Sequence, residues 1–275
     1  IIEEPSPFVA QVMADVERLS AEDEPYHREP ITYEAPYLDN LPTAPREKFA
    51  ANIAAIQKLK EIEQRVANGG SPAFEDEQRI LAQYTGWGGL SDAFDPNKST
   101  WSNEYSQLKA ALSESEYEAA RSSTLTAFYT PATVIHPIYR ALERFGVKGG
   151  KILEPSMGTG AFLAHGHFGS SDAKFYGVEL DSITGRISKQ LYQKANIQVT
   201  GYENALLPDN YFDCVIGNVP FGNFQVNDPQ YNRLHFPIHD YFFAKSIDKL
   251  RTGGILAFIT SSGTLDKKDD RARKY

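Results

Sequence analysis

The chain has 275 residues, of which 41% are apolar, so it is long enough and apolar enough to bury a globular core. It carries one cysteine, Cys214, which excludes an internal disulfide framework and a multi-cysteine zinc site and favours a reducing compartment. No stretch approaches the roughly 18 apolar residues of a membrane span. The N-terminus also lacks the pattern of a signal peptide. We therefore expect a cytoplasmic protein with no membrane partner.

The formal net charge of -8 argues against tight binding to a polyanion, because phosphate contacts need a local surplus of Lys and Arg. The charge is unevenly distributed. Residues 1–30 contain eight acidic and two basic side chains, whereas residues 245–275 contain eight basic and four acidic ones. A basic C-terminal surface could contact DNA, although a solvated charged face is the commoner explanation of such a run.

The first half of the chain divides into an arm and a helical region. Residues 1–45 are acidic and rich in proline, and we interpret them as an arm lying on other structure, with one short helix over Phe8–Leu19. Residues 46–125 are predicted to be helical. Apolar residues recur every three or four positions from Arg46 to Val66, and Gly69-Gly70 ends that helix. Three further helices are predicted: Ser71–Tyr84, with Ser71 as N-cap and Pro72 at N1, then Ser102–Leu112 and Glu114–Ser122.

A glycine-rich segment follows the second of these helices. From Thr85 to Leu90 the sequence reads Thr-Gly-Trp-Gly-Gly-Leu, and three glycines in four positions imply a tight backbone beside an indole. A buried turn is one interpretation of this pattern. A contribution of Trp87 to a cofactor or base pocket is the other, and both stay open at the level of the sequence.

Residues 126–275 alternate between strand and helix patterns, which indicates an α/β fold with a parallel sheet. The predicted strands are Lys151–Glu154, Lys174–Glu179, Ile197–Thr200, Phe212–Gly217 and Gly254–Thr260. The predicted helices are Thr133–Phe145, Ala161–His167, Ser182–Ala195 and His239–Leu250. In a fold of this kind the carboxyl ends of the strands form the edge at which ligands bind.

A glycine turn follows the first strand of this region. Gly158 and Gly160 stand between strand and helix, where glycines let a ligand approach the backbone, although a tight turn without a ligand would also use them. Glu179 ends the next strand, nineteen residues after Gly160, at the position from which an acid reaches ribose hydroxyls. Leu163 stands where a nicotinamide fold would have a third glycine, which counts against a dehydrogenase. The pattern favours another adenosine-containing ligand.

The fourth strand ends in Asn218-Val219-Pro220-Phe221. An exocyclic amino group is a poor nucleophile because its lone pair is delocalised into the ring, so methyl transfer needs acceptors aimed at both N–H bonds. The Asn218 side-chain oxygen and the Val219 carbonyl offer two acceptors that act mainly in the transition state. Pro220 would keep the turn rigid, and Phe221 would offer a face on which an extruded base stacks. Taken alone, the pattern also fits an ordinary Asn-x-Pro turn with a core Phe.

These motifs resemble, in their order, those of the amino-group methyltransferases. Phe128-Tyr129-Thr130-Pro131 precedes the glycine turn, which is similar to the gamma subgroup of adenine-N6 DNA methyltransferases. The resemblance implies a Rossmann-like class I fold, S-adenosylmethionine as cofactor and methylation of N6 of a flipped adenine in DNA. It implies three sets of cofactor contacts: Tyr129, Thr130, Pro131, Glu154, Gly158 and Gly160 around the methionine, Glu179 at the ribose, and Asn204 at the adenine.

A closer resemblance extends over roughly residues 45–275, through the segments Tyr84–Leu90 and His239–Lys245. Both segments are similar to the methylase region of large helicase-methylase proteins of phages, plasmids and conjugative elements, some of which protect against restriction. This implies DNA as partner and a helicase domain in the same polypeptide. Two positions depart from the pattern of the relatives: Val219 stands where Pro is usual, and Asn204 stands where Asp is usual.

The end of the chain departs further from that pattern. A class I methyltransferase sheet has seven strands, but only fifteen residues follow Thr260. We therefore expect a sheet truncated after its fifth strand, with that strand at or near an edge. The chain also begins without methionine, so we expect it to be part of a longer polypeptide.

Two alternative functions stay open. The same acceptor geometry suits methylation of a protein glutamine or of an RNA base. The departures at Val219 and Asn204, together with the missing strands, suit a non-catalytic module that binds cofactor or DNA beside a helicase motor.

No metal is expected from the cysteine and histidine content. Cys214 lies inside an apolar strand and is predicted to be a packed small hydrophobe. Four histidines lack the acid or thiol partners at the spacing of a zinc site: His165, His167, His235 and His239.

Overall fold

A computed structural model describes residues 29–33, 41–124, 130–166, 173–261, 263–266 and 268–275. The described residues form a five-stranded sheet in the order β3-β2-β1-β4-β5, and every neighbouring pair of strands is parallel. The strands are β1 (Lys151–Glu154), β2 (Lys174–Glu179), β3 (Asn196–Val199), β4 (Phe212–Asn218) and β5 (Leu250–Ile259). The predicted α/β fold is therefore confirmed.

Helices surround this sheet and also precede it. The described helices are α1 (Pro45–Ala67), α2 (Glu75–Leu81), α3 (Ser102–Ala111), α4 (Glu114–Ser123), α5 (Ala132–Arg144), α6 (Ala161–His165), α7 (Ser182–Leu191), α8 (Ile238–Lys249), α9 (Gly263–Asp266) and α10 (Arg271–Lys274). The first four form the predicted N-terminal helical region. None of these described helices is long and apolar enough to cross a lipid bilayer. The helix predicted over Phe8–Leu19 lies outside the described residues.

The sheet changes direction between β1 and β4. The chain adds strands outward from β1 to β3 and then returns to place β4 on the other side of β1. At such a reversal the loops that follow the two strands separate, which opens a crevice at the carboxyl ends. Among the described strands β5 pairs with β4 alone and forms an edge, as expected.

Both faces of the sheet are covered, which explains the continuous apolar runs in its strands. Successive residues of a strand point to opposite faces. Ile152 belongs to an apolar cluster with Tyr139 of α5 and Phe162 of α6, whereas the next residue, Leu153, clusters with Tyr241 of α8. The central strands are therefore enclosed between helices, and only their ends remain open to a ligand.

The helical region packs directly on α7. The apolar stripe predicted between Arg46 and Val66 is the buried face of α1, although Val66 itself is exposed. This face shares one core cluster with Ile187 and Leu191 of α7. The buried residues of the stripe are Phe49, Ile53, Ile56, Leu59 and Ile62. One apolar cluster spans the boundary that the sequence predicts between residues 125 and 126, so the division into a helical region and a sheet domain stays a proposal.

The second helix begins later than predicted, with Phe74 and not Ser71 as its N-cap. The cause is tertiary. Arg65 of α1 donates from Nε to the Ser71 carbonyl at 3.0 Å and from Nη2 to the Pro72 carbonyl at 3.3 Å, which holds that segment outside the helix. Glu77 accepts from the Phe74 backbone N–H at 2.9 Å and so caps the helix at the later position.

The helix α7 is shorter than predicted, because it ends at Leu191 and not at Ala195. A segment of the N-terminal arm explains this difference. Thr32 forms an antiparallel bridge with Tyr192, and the Tyr33 backbone N–H donates to the Leu191 carbonyl at 2.8 Å. Residues 29–33 thus lie on the end of α7 and replace the next turn of the helix, and the arm over residues 1–45 stays a prediction.

Two smaller corrections concern where a helix ends and where a strand begins. The helix α2 ends at Leu81 and not at Tyr84. The strand β5 begins at Leu250 and not at Gly254, because the sheet pairing continues past an irregularity between Phe212 and Cys214 of β4.

The glycine-rich segment after α2 is a buried turn. The Trp87 ring is 1% exposed and contacts the rings of Phe49 and Phe94. Asn52 of α1 holds the backbone just before it: its Nδ2 donates to the Gly86 carbonyl at 2.7 Å, and its Oδ1 accepts from the Thr85 backbone N–H at 2.8 Å. These contacts support the first of the two sequence interpretations. The Trp87 Nε1 is buried without a partner among the described atoms, and a contribution of this ring to a pocket stays a prediction.

Candidate active site

The turn after β1 is a left-handed glycine turn supported from behind by α7. Gly158 has φ +54° and Gly160 has φ +79°, a region that glycine adopts without steric cost. A Cβ atom on Gly160 would lie 2.3 Å from Cε2 of Tyr192, so the backbone rests directly on that ring. Ser188 donates from Oγ to the Gly158 carbonyl at 2.9 Å. Two side chains of one helix region therefore hold the turn.

Two carboxyl groups lie beside this turn. Glu154 ends β1 and is 2% exposed, and its Oε2 has no hydrogen-bond partner among the described atoms. Glu179 ends β2 and accepts from the backbone N–H groups of Gly158 at 2.8 Å and Asp181 at 2.7 Å. Burial raises the pKa of Glu154 well above its ordinary value, and the charge of Glu179 raises it further. Burial also raises the pKa of Glu179 to about 7.

These carboxyl groups have acceptor capacity that the described protein does not use. A buried carboxyl oxygen without a partner is destabilising, so Glu154 suits a ligand that brings a hydrogen-bond donor or a positive charge. A carboxylate offers about four acceptor positions. Glu179 accepts from the backbone N–H groups of Gly158 and Asp181 and also interacts with that of Leu180, which leaves acceptor capacity for ligand hydroxyls. The pair therefore fits a cationic ligand that also carries hydroxyls.

Asn218 ends β4, the strand next to β1. Its Nδ2 donates to Thr130 Oγ1 at 3.2 Å, and its main-chain carbonyl accepts from Ser156 Oγ at 3.0 Å. Its Oδ1 is buried and has no partner among the described atoms. The amide thus has its donor engaged by the protein and its acceptor left for another group.

The three residues that follow are arranged differently from one another. Val219 is 1% exposed, packs in the cluster of α8 and donates from its N–H to the Ile259 carbonyl at 3.3 Å. Its side chain thus fills the core. Pro220 is half-buried, and Phe221 is 50% exposed. A second exposed ring, Phe224, lies three residues further on and was missed by the sequence analysis.

The loop after β4 is anchored by the segment His239–Lys245. Tyr241 donates from its hydroxyl to Asp228 Oδ2 at 2.8 Å, and Lys245 donates from Nζ to the same oxygen at 2.8 Å. Asp228 belongs to the loop, and all three side chains are buried. Since Tyr241 and Lys245 are four residues apart on one helix face, α8 holds the loop through a single carboxylate. The tyrosine in this segment is therefore core, as is Phe242.

The remaining predicted cofactor residues have mixed positions. Thr130 contacts Asn218, and Pro131 is the N-cap of α5. Asn204 ends a short 3₁₀ turn, is exposed, and donates from Nδ2 to Glu203 Oε1 at 2.9 Å. Tyr129 lies outside the described residues. The structure thus brings Gly158 and Gly160 together with Glu154 and Glu179, and it joins Thr130 to Asn218; the role of each as a ligand contact stays a prediction.

Three side chains that hold the site were missed from the sequence: Ser156, Ser188 and Tyr192. Ser188 and Tyr192 are four residues apart, so their spacing could have placed them on one helical face. This spacing does not predict that the face would contact the turn after β1. Ser156 follows Pro155 in the glycine motif, and its hydrogen bond to a strand 62 residues away is a long-range contact.

Cysteine and histidine do not add chemistry to this site. Cys214 is fully buried, and burial raises the pKa of its thiol to about 12, so it stays protonated at neutral pH and packs as a hydrophobe. The His165 ring packs edge-on against His136 with centroids 5.1 Å apart. In the part of the chain that the structure describes, no three metal-ligating side chains come together. His167 lies outside that part.

A parallel sheet in this order, with a glycine turn after β1, an acid at the end of β2 and a polar turn at the end of β4, defines a class I S-adenosylmethionine-dependent methyltransferase domain. The particular family follows from sequence comparison. The chain belongs to the Eco57I restriction-modification methylase family, which matches residues 110–275. This confirms the resemblance to methylases inferred from the motifs, and S-adenosylmethionine is the methyl donor of the family.

Two curated relatives and a solved structure are similar to the chain. Defense against restriction protein B of Escherichia phage P1 is 28% identical over 238 residues, which is 85% of this chain and 9% of that protein. Modification methylase CviBIII of Paramecium bursaria Chlorella virus NC1A is 31% identical over 140 residues, 49% of this chain and 37% of that protein. A Listeria monocytogenes protein assigned to the class I methyltransferases superposes with a TM-score of 0.48 at 17% identity, covering 82% of this chain and 78% of that one. The chain thus spans well under half the length of both curated relatives.

The residues of the site fit the chemistry of S-adenosylmethionine. The unpartnered Glu154 oxygen suits the ammonium group of the methionine moiety, and the free acceptor positions of Glu179 suit the two ribose hydroxyls. The left-handed backbone at Gly158 and Gly160 carries no side chain that would fill the space above the turn. The hydrogen-bond acceptors of the site therefore agree with the cofactor of the family.

Proposed function

We propose that this domain transfers a methyl group from S-adenosylmethionine to an exocyclic amino nitrogen of a DNA base, N6 of a flipped adenine. The observation that carries the proposal is the Asn218 amide, whose Oδ1 is buried and unpartnered while its Nδ2 is engaged by Thr130. An acceptor held in this way is suited to an N–H donor. A substrate carbonyl at the same place would put two acceptors together, its own oxygen and Asn218 Oδ1, with no hydrogen between them.

The cofactor supplies an electrophilic methyl group on a positively charged sulfur. The protein has to make the amino nitrogen a better nucleophile. Asn218 Oδ1 and the Val219 carbonyl each accept a hydrogen bond from one N–H of the amino group. This favours a pyramidal nitrogen whose lone pair is free to attack. As the nitrogen–carbon bond forms, the carbon–sulfur bond breaks, and the nitrogen then loses one proton to water. The two acceptors stabilise the positive charge that the nitrogen carries in between.

The exposed Phe221 ring supports a base as substrate. A base inside a duplex cannot reach the carboxyl edge of a sheet, so it has to be extruded and held by stacking. Phe221 is half exposed beside Pro220, in a loop that α8 anchors through Asp228. Stacking on an aromatic ring contributes about 1 to 3 kcal/mol per base. The relatives named modification methylase and defense against restriction protein agree with DNA as the substrate class.

Two finer parts of the proposal come from resemblance alone. A helicase domain in the same polypeptide is proposed from the likeness to helicase-methylase proteins, and a cytoplasmic location accompanies it. Methylation of a protein glutamine or of RNA is the competing substrate class. No described residue of the site favours those substrates over DNA.

The variant Asn218→Ala tests the proposal. We expect its turnover number for methyl transfer to adenine-containing DNA to fall by at least about a hundredfold, because one of two preorganised acceptors is lost. The dissociation constant for S-adenosylmethionine should stay unchanged, since the amide is not part of the glycine turn. Transfer of labelled methyl groups measures the rate, and mass spectrometry of the digested DNA identifies N6-methyladenine as the product.

Asn223→Ala is the matched control. Asn223 lies exposed in the same loop, so its replacement should leave the rate near that of the parent chain. An Asn218→Ala variant that keeps its rate contradicts the mechanism. A parent chain that binds cofactor but methylates only RNA or protein overturns the substrate, and one that binds cofactor and methylates nothing overturns the enzymatic function.

A further inference from the structure

Residue 218 is held by two hydroxyl groups from two other segments of the chain. Thr130 Oγ1 accepts from the Asn218 Nδ2 at 3.2 Å, and Ser156 Oγ donates to the Asn218 main-chain carbonyl at 3.0 Å. Thr130 precedes α5, and Ser156 lies in the turn after β1. These contacts link sequence positions 88 and 62 residues apart, so only the fold brings them together.

An asparagine amide needs such a partner to have a defined plane. Rotation about the last side-chain bond of Asn is broad and roughly two-fold, in contrast to the sharp wells of sp³ bonds. In the described structure Thr130 Oγ1 is the hydrogen-bond partner of the Asn218 amide nitrogen, and the amide oxygen has none. The plane of this amide is therefore decided by one hydrogen bond to one hydroxyl.

The hydroxyl of Thr130 is itself held stiffly. Its neighbour Pro131 is the N-cap of α5, with φ -72° and ψ 151°. A residue that precedes proline is restricted to extended backbone conformations. Threonine is also branched at Cβ, which limits its χ1. Both restrictions reduce the freedom of Oγ1, so the acceptor that meets Asn218 has a well-defined position.

We infer that Thr130 is a positioning residue for methyl transfer, which acts by holding the Asn218 amide with its oxygen free for the substrate amino group. The inference rests on the proposed function. It differs from the role that the family resemblance implies for this position, a contact to the methionine end of the cofactor. A cofactor contact affects the affinity for S-adenosylmethionine, whereas a positioning contact affects turnover.

Ser156 supports the same arrangement on the main chain. By donating to the carbonyl of residue 218, its hydroxyl ties the end of β4 to the turn after β1. The catalytic turn and the cofactor turn are therefore joined at the main-chain carbonyl of Asn218, while Thr130 holds the side chain of the same residue. A shift of about 1 Å in a reacting group costs on the order of a hundredfold in rate, so these two contacts bear directly on turnover.

The test compares Thr130→Val with Thr130→Ser in the full chain. Valine keeps the branched shape but removes the acceptor, whereas serine keeps the hydroxyl and loses the branch. We expect Thr130→Val to lower the turnover number by about tenfold to a hundredfold, while the dissociation constant for S-adenosylmethionine changes by less than about threefold. Thr130→Ser should recover most of the lost rate. Thr133→Val is the matched control, because Thr133 is exposed on the first turn of α5.

A second readout does not depend on activity. The side-chain amide of Asn218 gives an NH₂ signal in a nitrogen-15 correlation spectrum, which Asn218→Ala identifies by its loss. We expect Thr130→Val to shift this signal, because the hydrogen bond of Nδ2 is removed, and Thr130→Ser and Thr133→Val to leave it near its original position.

The outcomes separate the two proposals. A Thr130→Val variant with the parent turnover number, or with an unshifted Asn218 signal, overturns the positioning role. A variant that loses cofactor affinity while its turnover number at saturating cofactor is unchanged also overturns it, in favour of a cofactor contact. If the parent chain transfers no methyl group to DNA but the signal shifts as expected, the proposed function fails and the contact from Thr130 to the amide is upheld.

Discussion

The chain contains two glycine turns that look alike in sequence and differ in structure. Gly89, after α2, has φ +77°, and Gly160, after β1, has φ +79°. The first turn is closed: Asn52 binds the backbone of two successive residues, Thr85 and Gly86, and the Trp87 ring is buried. The second turn is supported from behind by Tyr192, and a carboxyl oxygen near it has no partner among the described atoms.

The difference shows what separates a structural turn from a binding turn. Glycine content and backbone angles are nearly the same in both. What differs is the kind of polar group that is left without a partner among the described atoms. In the first turn Asn52 binds the Thr85 N–H and the Gly86 carbonyl, and the unpartnered group is the buried Trp87 indole N–H, which lies among aromatic rings. Near the second turn Glu154 and Asn218 each retain a buried unpartnered oxygen at the end of a strand. Buried polar groups in proteins are nearly always paired, so two unpartnered acceptor oxygens at the ends of neighbouring strands are a reason to expect a ligand between them.

The largest expected effect comes from adding a methyl group, as an alanine side chain, to each of the two turns. Gly160→Ala forces a left-handed backbone on alanine and also drives Cβ to 2.3 Å from the Tyr192 ring. We expect the free energy of unfolding to fall by about 3 to 4 kcal/mol from strain and overpacking together, and cofactor binding to be lost. Thermal or denaturant unfolding and calorimetry measure the two effects.

Gly89→Ala is the matched control for the backbone strain. Its φ is within a few degrees of that of Gly160, but a Cβ there meets nothing within 4 Å. We expect a loss of about 1 to 2 kcal/mol and unchanged cofactor affinity. Equal losses of stability in the two variants would show that the contact with Tyr192 has no part in shaping the turn.

A second prediction concerns Asn52, the side chain that binds the backbone of the closed turn. Asn52→Ala leaves the Thr85 N–H and the Gly86 carbonyl buried without their partner. We expect the free energy of unfolding to fall by about 2 to 3 kcal/mol, the cost of leaving such groups unsatisfied. Cofactor affinity should stay the same, because the closed turn serves stability. Denaturant unfolding together with calorimetry checks this, and a loss of affinity without a loss of stability would instead assign the turn to the cofactor pocket.

The third and smallest effect concerns pH. The Glu179 pKa is raised to about 7, and hydroxyl donors of a ligand favour its ionised form. Below pH 7 the carboxyl is protonated, so a ligand has to displace a proton; the dissociation constant for S-adenosylmethionine should rise by up to about tenfold per pH unit as the pH falls. Above pH 7 the affinity should level off.

Glu179→Gln provides the control for this dependence. The amide does not titrate, so the variant should bind the cofactor weakly and with little change of affinity between pH 5.5 and about 7. Calorimetry in buffers of different ionisation enthalpy also counts the protons released. A parent chain whose affinity is flat across this range would mean that Glu179 is already ionised or does not meet the ribose.

Much of the sheet domain could be predicted because its signals are local. The strands Lys151–Glu154 and Lys174–Glu179 have the predicted bounds, since an apolar run between charged or glycine residues is enough to define them. The order of the motifs also indicated the class of enzyme. In contrast, Ser71 was wrongly predicted as an N-cap. Its carbonyl is bound by Arg65, and no local pattern reports a contact from another helix.

The candidate site shows the same division. Asn218, Glu154 and Glu179 could be named because each ends a strand, and strand ends meet at one edge of a parallel sheet. Tyr192 could not, because its contact with Gly160 depends on where α7 ends. That end is set in turn by the bridge between Tyr192 and Thr32, 160 residues earlier in the chain.

By itself, the sequence determined the alternation of strands and helices, the two glycine turns and the identities of the polar residues at the strand ends, because each depends on neighbours along the chain. Only the tertiary structure decided which glycine turn is closed, which buried oxygens lack a partner, and that Thr130 and Ser156 meet Asn218. The physical reason is that hydrogen bonds and burial are satisfied in three dimensions. A group's partner is therefore known only once distant segments are in place.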